Sequence, residues 1–185
     1  MKKGLFALVT STFLFAPCVA QQPTAVLVAS WEEHGFVPRA FVPKVVLLGA
    51  NSVSPDLEST VLAQINRERQ RLGLKPLMSD ETLSLMARAH AAEMARAGVL
   101  SHVGADGADT VERARAYGLR GWRMLGENVA FNQGFDDPAS FAVERWMRSP
   151  RHRANITNAL FTHTGIGVVR TPDGRVFFTQ LFVAR

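Results

Sequence analysis

Gly165-Ile166-Gly167-Val168-Val169-Arg170-Thr171-Pro172-Asp173-Gly174-Arg175-Val176-Phe177-Phe178-Thr179-Gln180-Leu181-Phe182 reads as two strands and the turn that joins them. Both flanks are β-branched or aromatic, and Pro172-Asp173-Gly174 supplies the fixed φ and the permissive glycine that a tight reversal needs. A third strand is expected around residues 128–131. Upstream, Leu57, Val61, Leu62, Ile65, Arg69 and Leu72 recur at helical spacing, with Pro55 suited to a first turn and Gly73 to a stop. A second helix is expected after Ser79 or Asp80, running through Leu83, Met86, Ala87, His90 and Met94 to Gly98. Two more follow, over residues 110–117 and 138–147, the last broken at Ser149-Pro150. Helices before and between so few strands imply an α+β domain in which helices cover a small antiparallel sheet.

The first twenty residues have the order of an export signal: Lys2 and Lys3, then an apolar run from Leu5 to Phe15, then Cys18-Val19-Ala20 as a cleavage site. Secreted or periplasmic placement is expected. The alternative is a lipid anchor on Cys18, the only cysteine, against which Pro17 argues. A mature chain from Gln21 has no thiol, which excludes disulfides and cysteine-based metal sites. Residues 21–54 hold three of the nine prolines and short apolar patches such as Val45-Val46-Leu47-Leu48. They read as a linker or loosely packed arm in which those four residues can add a strand, and residues 55–185 read as the domain. No segment after the signal is apolar for long enough to span a bilayer. Removing Lys2 and Lys3 leaves 19 basic against 16 acidic residues. The basic residues are scattered arginines without a basic run, so nucleic-acid binding is not expected.

Five strings then fall in a telling order: Leu100-Ser101-His102, Gly126-Glu127-Asn128, Val143-Glu144-Arg145-Trp146, Ser149-Pro150-Arg151-His152-Arg153-Ala154-Asn155-Ile156 and Thr179-Gln180-Leu181-Phe182. In this order they resemble the CAP superfamily of cysteine-rich secretory, antigen five and pathogenesis-related proteins, in its cysteine-free bacterial branch. The resemblance runs from the first helix to the C-terminus and leaves out residues 21–54. It implies a three-layer α/β/α sandwich with a three-stranded antiparallel sheet, and a cleft holding His102, Glu127, Glu144 and His152.

Imidazoles and carboxylates are ligands that a divalent metal such as zinc accepts when thiolates are absent. Without metal the same groups form a hydrogen-bonded cluster that titrates near neutral pH. Each also has a plainer account: Glu127 bonding loop amides, Glu144 pairing with Arg148 one turn on, His152 capping the preceding helix, and His102 as a surface residue in a glycine-rich loop. Asn128, Ser149 and Asn155 read as supports, and Trp146, Phe141 and Phe178 as packing. His90-Ala91-Ala92-Glu93-Met94 lacks the second histidine of a zinc-protease helix, so His90 reads as structural or as part of the cleft rim. His34 and His163 receive no role. No phosphate loop, dinucleotide fingerprint or nucleophile elbow is present. The expected function is binding of a lipid, peptide or cell-envelope ligand; the alternative is a zinc-dependent hydrolase with Glu127 or Glu144 as base.

Overall fold

The computed structural model describes residues 26–28, as backbone, and residues 52–185. The readings of residues 1–20, Val45 to Leu48 and His34 lie outside the described residues. Among the described residues six strands form one sheet, in the order β1 (Val26–Val28), β4 (Met124–Gln133), β6 (Arg175–Ala184), β5 (His163–Arg170), β2 (Ser52–Val53), with β3 (Met78–Ser79) also paired to β5. Its body is the three long strands: β4 (Met124–Gln133), β6 (Arg175–Ala184) and β5 (His163–Arg170), antiparallel throughout. The other three are short edge additions. The strand β1 (Val26–Val28) runs parallel to β4, β2 (Ser52–Val53) antiparallel to β5, and β3 (Met78–Ser79) parallel to β5. The sheet is thus wider than the three strands expected, by strands whose two or three residues carry no period to read.

Alternation along β6 builds both faces. Val176, Phe178, Phe182 and Ala184 enter one apolar cluster, while Phe177, Leu181 and Val183 enter those on the opposite face. The first cluster is closed by α1 (Pro55–Arg71), α4 (Pro138–Arg148) and α5 (Pro150–Ile156), whose Val61, Ile65, Trp146 and Ile156 are all buried. The other face is covered by α2 (Glu81–Ala97), with the short α3 (Thr110–Ala116) beside it. Helix, sheet and helix make the three-layer α/β/α sandwich.

Local chemistry sets the helix ends. Asp80 accepts from the Leu83 amide at the start of α2, Gly98 ends it at φ 73°, and Asp109 with Glu112 forms a reciprocal capping box on α3. Ser149-Pro150 ends α4 as expected, but Pro150 then opens α5. The sequence reading missed this helix because Arg151, His152 and Arg153 interrupt any apolar period, while proline suits a first turn. Gly165 and Gly167 explain how tightly α2 lies on β5. A Cβ at either position would stand 2.2 Å from the α2 backbone, at Leu83 and Ser84 or at Ala87 and Arg88. The hairpin turn closes through Gly174 N–H on Thr171 O, with Gly174 at φ 83°.

Arg69, expected on the apolar stripe of α1, does face inward. Its guanidinium donates to the carbonyls of Lys75, Ile156, Asn158 and Phe161, tying the chain after α5 to α1. Four carbonyl partners make a buried arginine tolerable where no carboxylate meets it.

Candidate functional site

Adjacent residues of β4 point to opposite sheet faces, and the site is built on that fact. Glu127 points toward α2 and α3, as Leu125 and Val129 do, and has no exposed surface. Its Oε1 accepts from His102 Nδ1 at 2.8 Å and its Oε2 from Arg113 Nη2 at 2.7 Å. The same Arg113 nitrogen reaches the His102 carbonyl at 3.0 Å and Thr110 Oγ1 at 3.1 Å. One guanidinium therefore fixes both the carboxylate and the backbone of the histidine that bonds it. His90, on α2, donates from Nε2 to Ser101 O at 2.7 Å, and that nitrogen lies 4.0 Å from Glu127 Oε1. Burial alone would keep Glu127 protonated, but Arg113, His90 and the His102 hydrogen bond hold its carboxyl down at about 2. By accepting from Nδ1, Glu127 fixes the orientation of the His102 ring.

Asn128 points the other way and ties in the second half. Its Nδ2 donates to the His152 carbonyl at 3.2 Å, and its Oδ1 accepts from Asn155 Nδ2 at 2.9 Å. Asn155 also donates to Glu127 O at 3.2 Å. His152 Nδ1 is 2.8 Å from Ser149 Oγ. Burial and the neighbouring His102 push the His152 imidazole down to about 4, so it is neutral at pH 7. Gly126 completes the arrangement, because a Cβ there would meet Phe161 and Asn155 at 3.0 to 3.3 Å. Gly-Glu-Asn thus reads in physical terms: a close approach, a carboxylate for one loop and an amide for the opposite helix.

The four residues expected in one cleft are not placed alike. Glu127, His102 and His152 belong to this network. Glu144 sits on α4 with its side chain 54% exposed and its Oε1 2.5 Å from Arg148 Nη2, the helical pair that its spacing also allowed. Among the described residues, no three His, Cys, Asp or Glu side chains are grouped so as to hold a metal ion.

With this geometry in view, the likeness to known proteins is direct. The model of the cysteine-rich secretory protein family, CAP, matches residues 62–182. The chain belongs to the CAP family. It is 35% identical to the uncharacterized protein YkwD of Bacillus subtilis over 128 residues, which is 69% of this chain and 47% of YkwD. An extracellular Bacillus anthracis protein containing an SCP domain superposes with a TM-score of 0.62 at 25% identity, over 71% of this chain and 41% of that one. An outer surface protein of Borrelia burgdorferi has the same fold at a TM-score of 0.66 and 23% identity, over 74% of this chain and 98% of its own. The chain spans about half the length of YkwD and of the Bacillus anthracis protein.

Within the CAP domain the sequence reading overlooked Arg113. An arginine in Glu112-Arg113-Ala114-Arg115 looks like one of several solvated cations, and only the turn of α3 shows that Arg113 is buried while Arg115 is exposed. The available signal was its spacing from Thr110 and Ala114, both of which are also buried. His90 was read as structural or as cleft rim, and the structure places it at 1% exposure behind the loop that carries His102.

Proposed function

We propose that this chain acts outside the cell as a CAP binding module, presenting the His102 and His152 side of the domain to a lipid, peptide or cell-envelope ligand. Support for an extracellular setting comes from the relatives: one is described as an extracellular protein and another as an outer surface protein. Among the described residues no helix is long and apolar enough to cross a membrane.

The observation that carries binding over hydrolysis is the state of Glu127. Both of its oxygens are engaged, it has no exposed surface, and its carboxyl is held at about 2. A general base must reach the proton it removes and have a pKa near the working pH, and Glu127 meets neither condition. Glu144 is accessible but is drawn to Arg148.

Zinc fits this site as an accessory held by two imidazoles, His102 and His152, with Glu127 orienting His102 from behind. Catalytic zinc commonly takes three protein ligands, and among the described residues no third His, Cys, Asp or Glu side chain is grouped with this pair. Bound zinc would offer an electrophilic centre to a carboxylate or phosphate oxygen of the ligand. Calorimetric zinc titration of the mature domain beside a His102→Ala, His152→Ala variant tests the pair. Loss of zinc binding in the variant is expected, and equal affinity in the two proteins rules the site out. Zinc-dependent cleavage of a peptide, ester or glycan panel that vanishes in Glu127→Gln would replace the binding role with the hydrolase.

A further inference from the structure

Among the described residues β1 is the only strand on the outer side of β4, with Val26 opposite Leu125, Leu27 opposite Gly126 and Val28 opposite Glu127. A strand edge is a template for another extended chain. Three observations set β1 apart from a strand built into the domain. It runs parallel to β4, whereas β4, β6 and β5 are antiparallel throughout, so no tight hairpin joins the two. It belongs to the arm, upstream of the residues 62–182 that the CAP model matches, and residues 29–51 separate it from β2. It pairs over only three residues.

That shortness has a cause in the domain. Farther along β4 the main-chain acceptors are taken by helix side chains: Asn155 of α5 donates to Glu127 O at 3.2 Å and Trp146 of α4 to Val129 O at 3.1 Å. β1 ends opposite Glu127, where this covering begins. The open stretch is therefore Leu125–Glu127, a slot for one short extended segment and not an edge along which a sheet can grow. Its inner end is the residue to which both imidazoles are wired. The Glu127 carboxylate accepts from His102, and the Asn155 that holds its carbonyl also bonds Asn128, which donates to the His152 carbonyl.

We propose that the outer edge of β4 at Leu125–Glu127 is a peptide-binding slot, in which the chain's own Val26–Val28 holds the place of an extended ligand. Its occupant is an apolar peptide segment added parallel to β4, with main-chain hydrogen bonds supplying the affinity. A lipid or a glycan has no such ladder to offer. This inference rests on the binding reading above and narrows it to peptides; zinc plays no part in it. Because β1 is tethered, it competes at an effective concentration on the order of 1 mM, so a peptide enters best once β1 is broken.

The test is calorimetry with the acetylated, amidated peptide of residues 24–30, Thr-Ala-Val-Leu-Val-Ala-Ser, on the whole chain and on its Leu27→Pro variant. Proline removes the N–H at the centre of β1 and leaves the CAP domain untouched, which an unchanged circular dichroism spectrum verifies. The variant is expected to bind the peptide at least about tenfold more tightly than the parent. N-methylation of the peptide's leucine should weaken it about tenfold, while the unrelated Thr-Val-Ile-Val-Thr should bind within about tenfold of it, since the main chain makes the contact. Hydrogen exchange at the Glu127 amide, on the same side of β4 as the carbonyl that Asn155 holds, reads the slot directly. It should be slow in the parent, faster in Leu27→Pro and slow again with peptide. No binding to Leu27→Pro at about 5 mM, equal binding of the N-methylated form, binding of the native sequence alone, or unchanged exchange at Glu127 overturns the proposal. A parent that dimerises in sedimentation while Leu27→Pro does not makes a second copy the occupant, and also overturns it. Zinc titration of the same samples keeps the two readings apart: peptide binding lost with zinc binding retained removes the slot alone, and the reverse removes the imidazole site alone.

Discussion

Replacing Arg113 by methionine removes the guanidinium from Glu127 and leaves the length and much of the volume of the side chain. Glu127 is then a buried carboxylate whose partners are His102 and, at 4.0 Å, His90. Two routes give the size of the loss. Breaking a buried ion pair from one side costs about 3–5 kcal/mol. Separately, depression of the Glu127 carboxyl from its ordinary 4.5 to about 2 represents stabilisation of the charged form. At about 1.4 kcal/mol per pK unit this comes to some 3 kcal/mol, of which Arg113 is the largest favourable source. Because the folded value lies below the unfolded one, this stability is fully present above pH 4.5 and is lost as the pH falls toward 2. In Arg113→Met the carboxyl is no longer held down, so that dependence shrinks. Urea denaturation at pH 7 and pH 3 measures both effects. The variant should be about 3 kcal/mol less stable than the parent at pH 7, and the gap should narrow by about 2 kcal/mol at pH 3. Glu93, which Arg113 also helps to hold below the ordinary carboxylate range, adds to the gap with the same sign, while carboxylates remote from Arg113 contribute equally to both proteins and cancel in the difference. A gap below about 1 kcal/mol at pH 7, or the same gap at both pH values, would refute the view that Arg113 holds Glu127 charged.

Two further outcomes are expected. Gly167→Ala puts a Cβ 2.2 Å from the backbone of α2 and should cost about 3 kcal/mol or more in chemical denaturation. Gly174→Ala meets no atom within 4 Å and should cost only about 1 kcal/mol, for its positive φ; a larger loss at Gly174 than at Gly167 would contradict the packing account. Proton NMR of the metal-free protein should show the His152 ring resonance unmoved from pH 7 to about pH 5 and shifting only near pH 4; between 6.5 and about 4 the unfolded form binds a proton that the folded form does not, so this group lowers stability as the pH falls through that window. A midpoint at the ordinary value of 6.5 would mean that His152 is neither desolvated nor close to His102.

Much of the fold was legible because it rests on local rules. The hairpin of β5 and β6 follows from alternating β-branched and aromatic residues around Pro172-Asp173-Gly174, and α1 to α4 from apolar spacing between caps. The added strands β1, β2 and β3 were not legible, since two or three residues owe their strand geometry to the edge they join. Helix α5 was hidden for a related reason: its buried Asn155 and Ile156 follow three charged or titratable residues, and their anchor is the sheet.

The sequence by itself determined which side chains with site chemistry this protein possesses, and the order of five short strings, four of which carry His102, Glu127, Glu144 and His152, was enough to point to the CAP family. Only the tertiary structure decided how they are used. It set Glu127 and Asn128 on opposite faces of β4, brought Arg113 and His90 to the buried carboxylate, and left Glu144 beside Arg148 on the surface of α4. The physical reason is range. Helix and strand periods act over a few residues, whereas the charge state of Glu127 depends on a cation 14 residues away in sequence and 2.7 Å away in space.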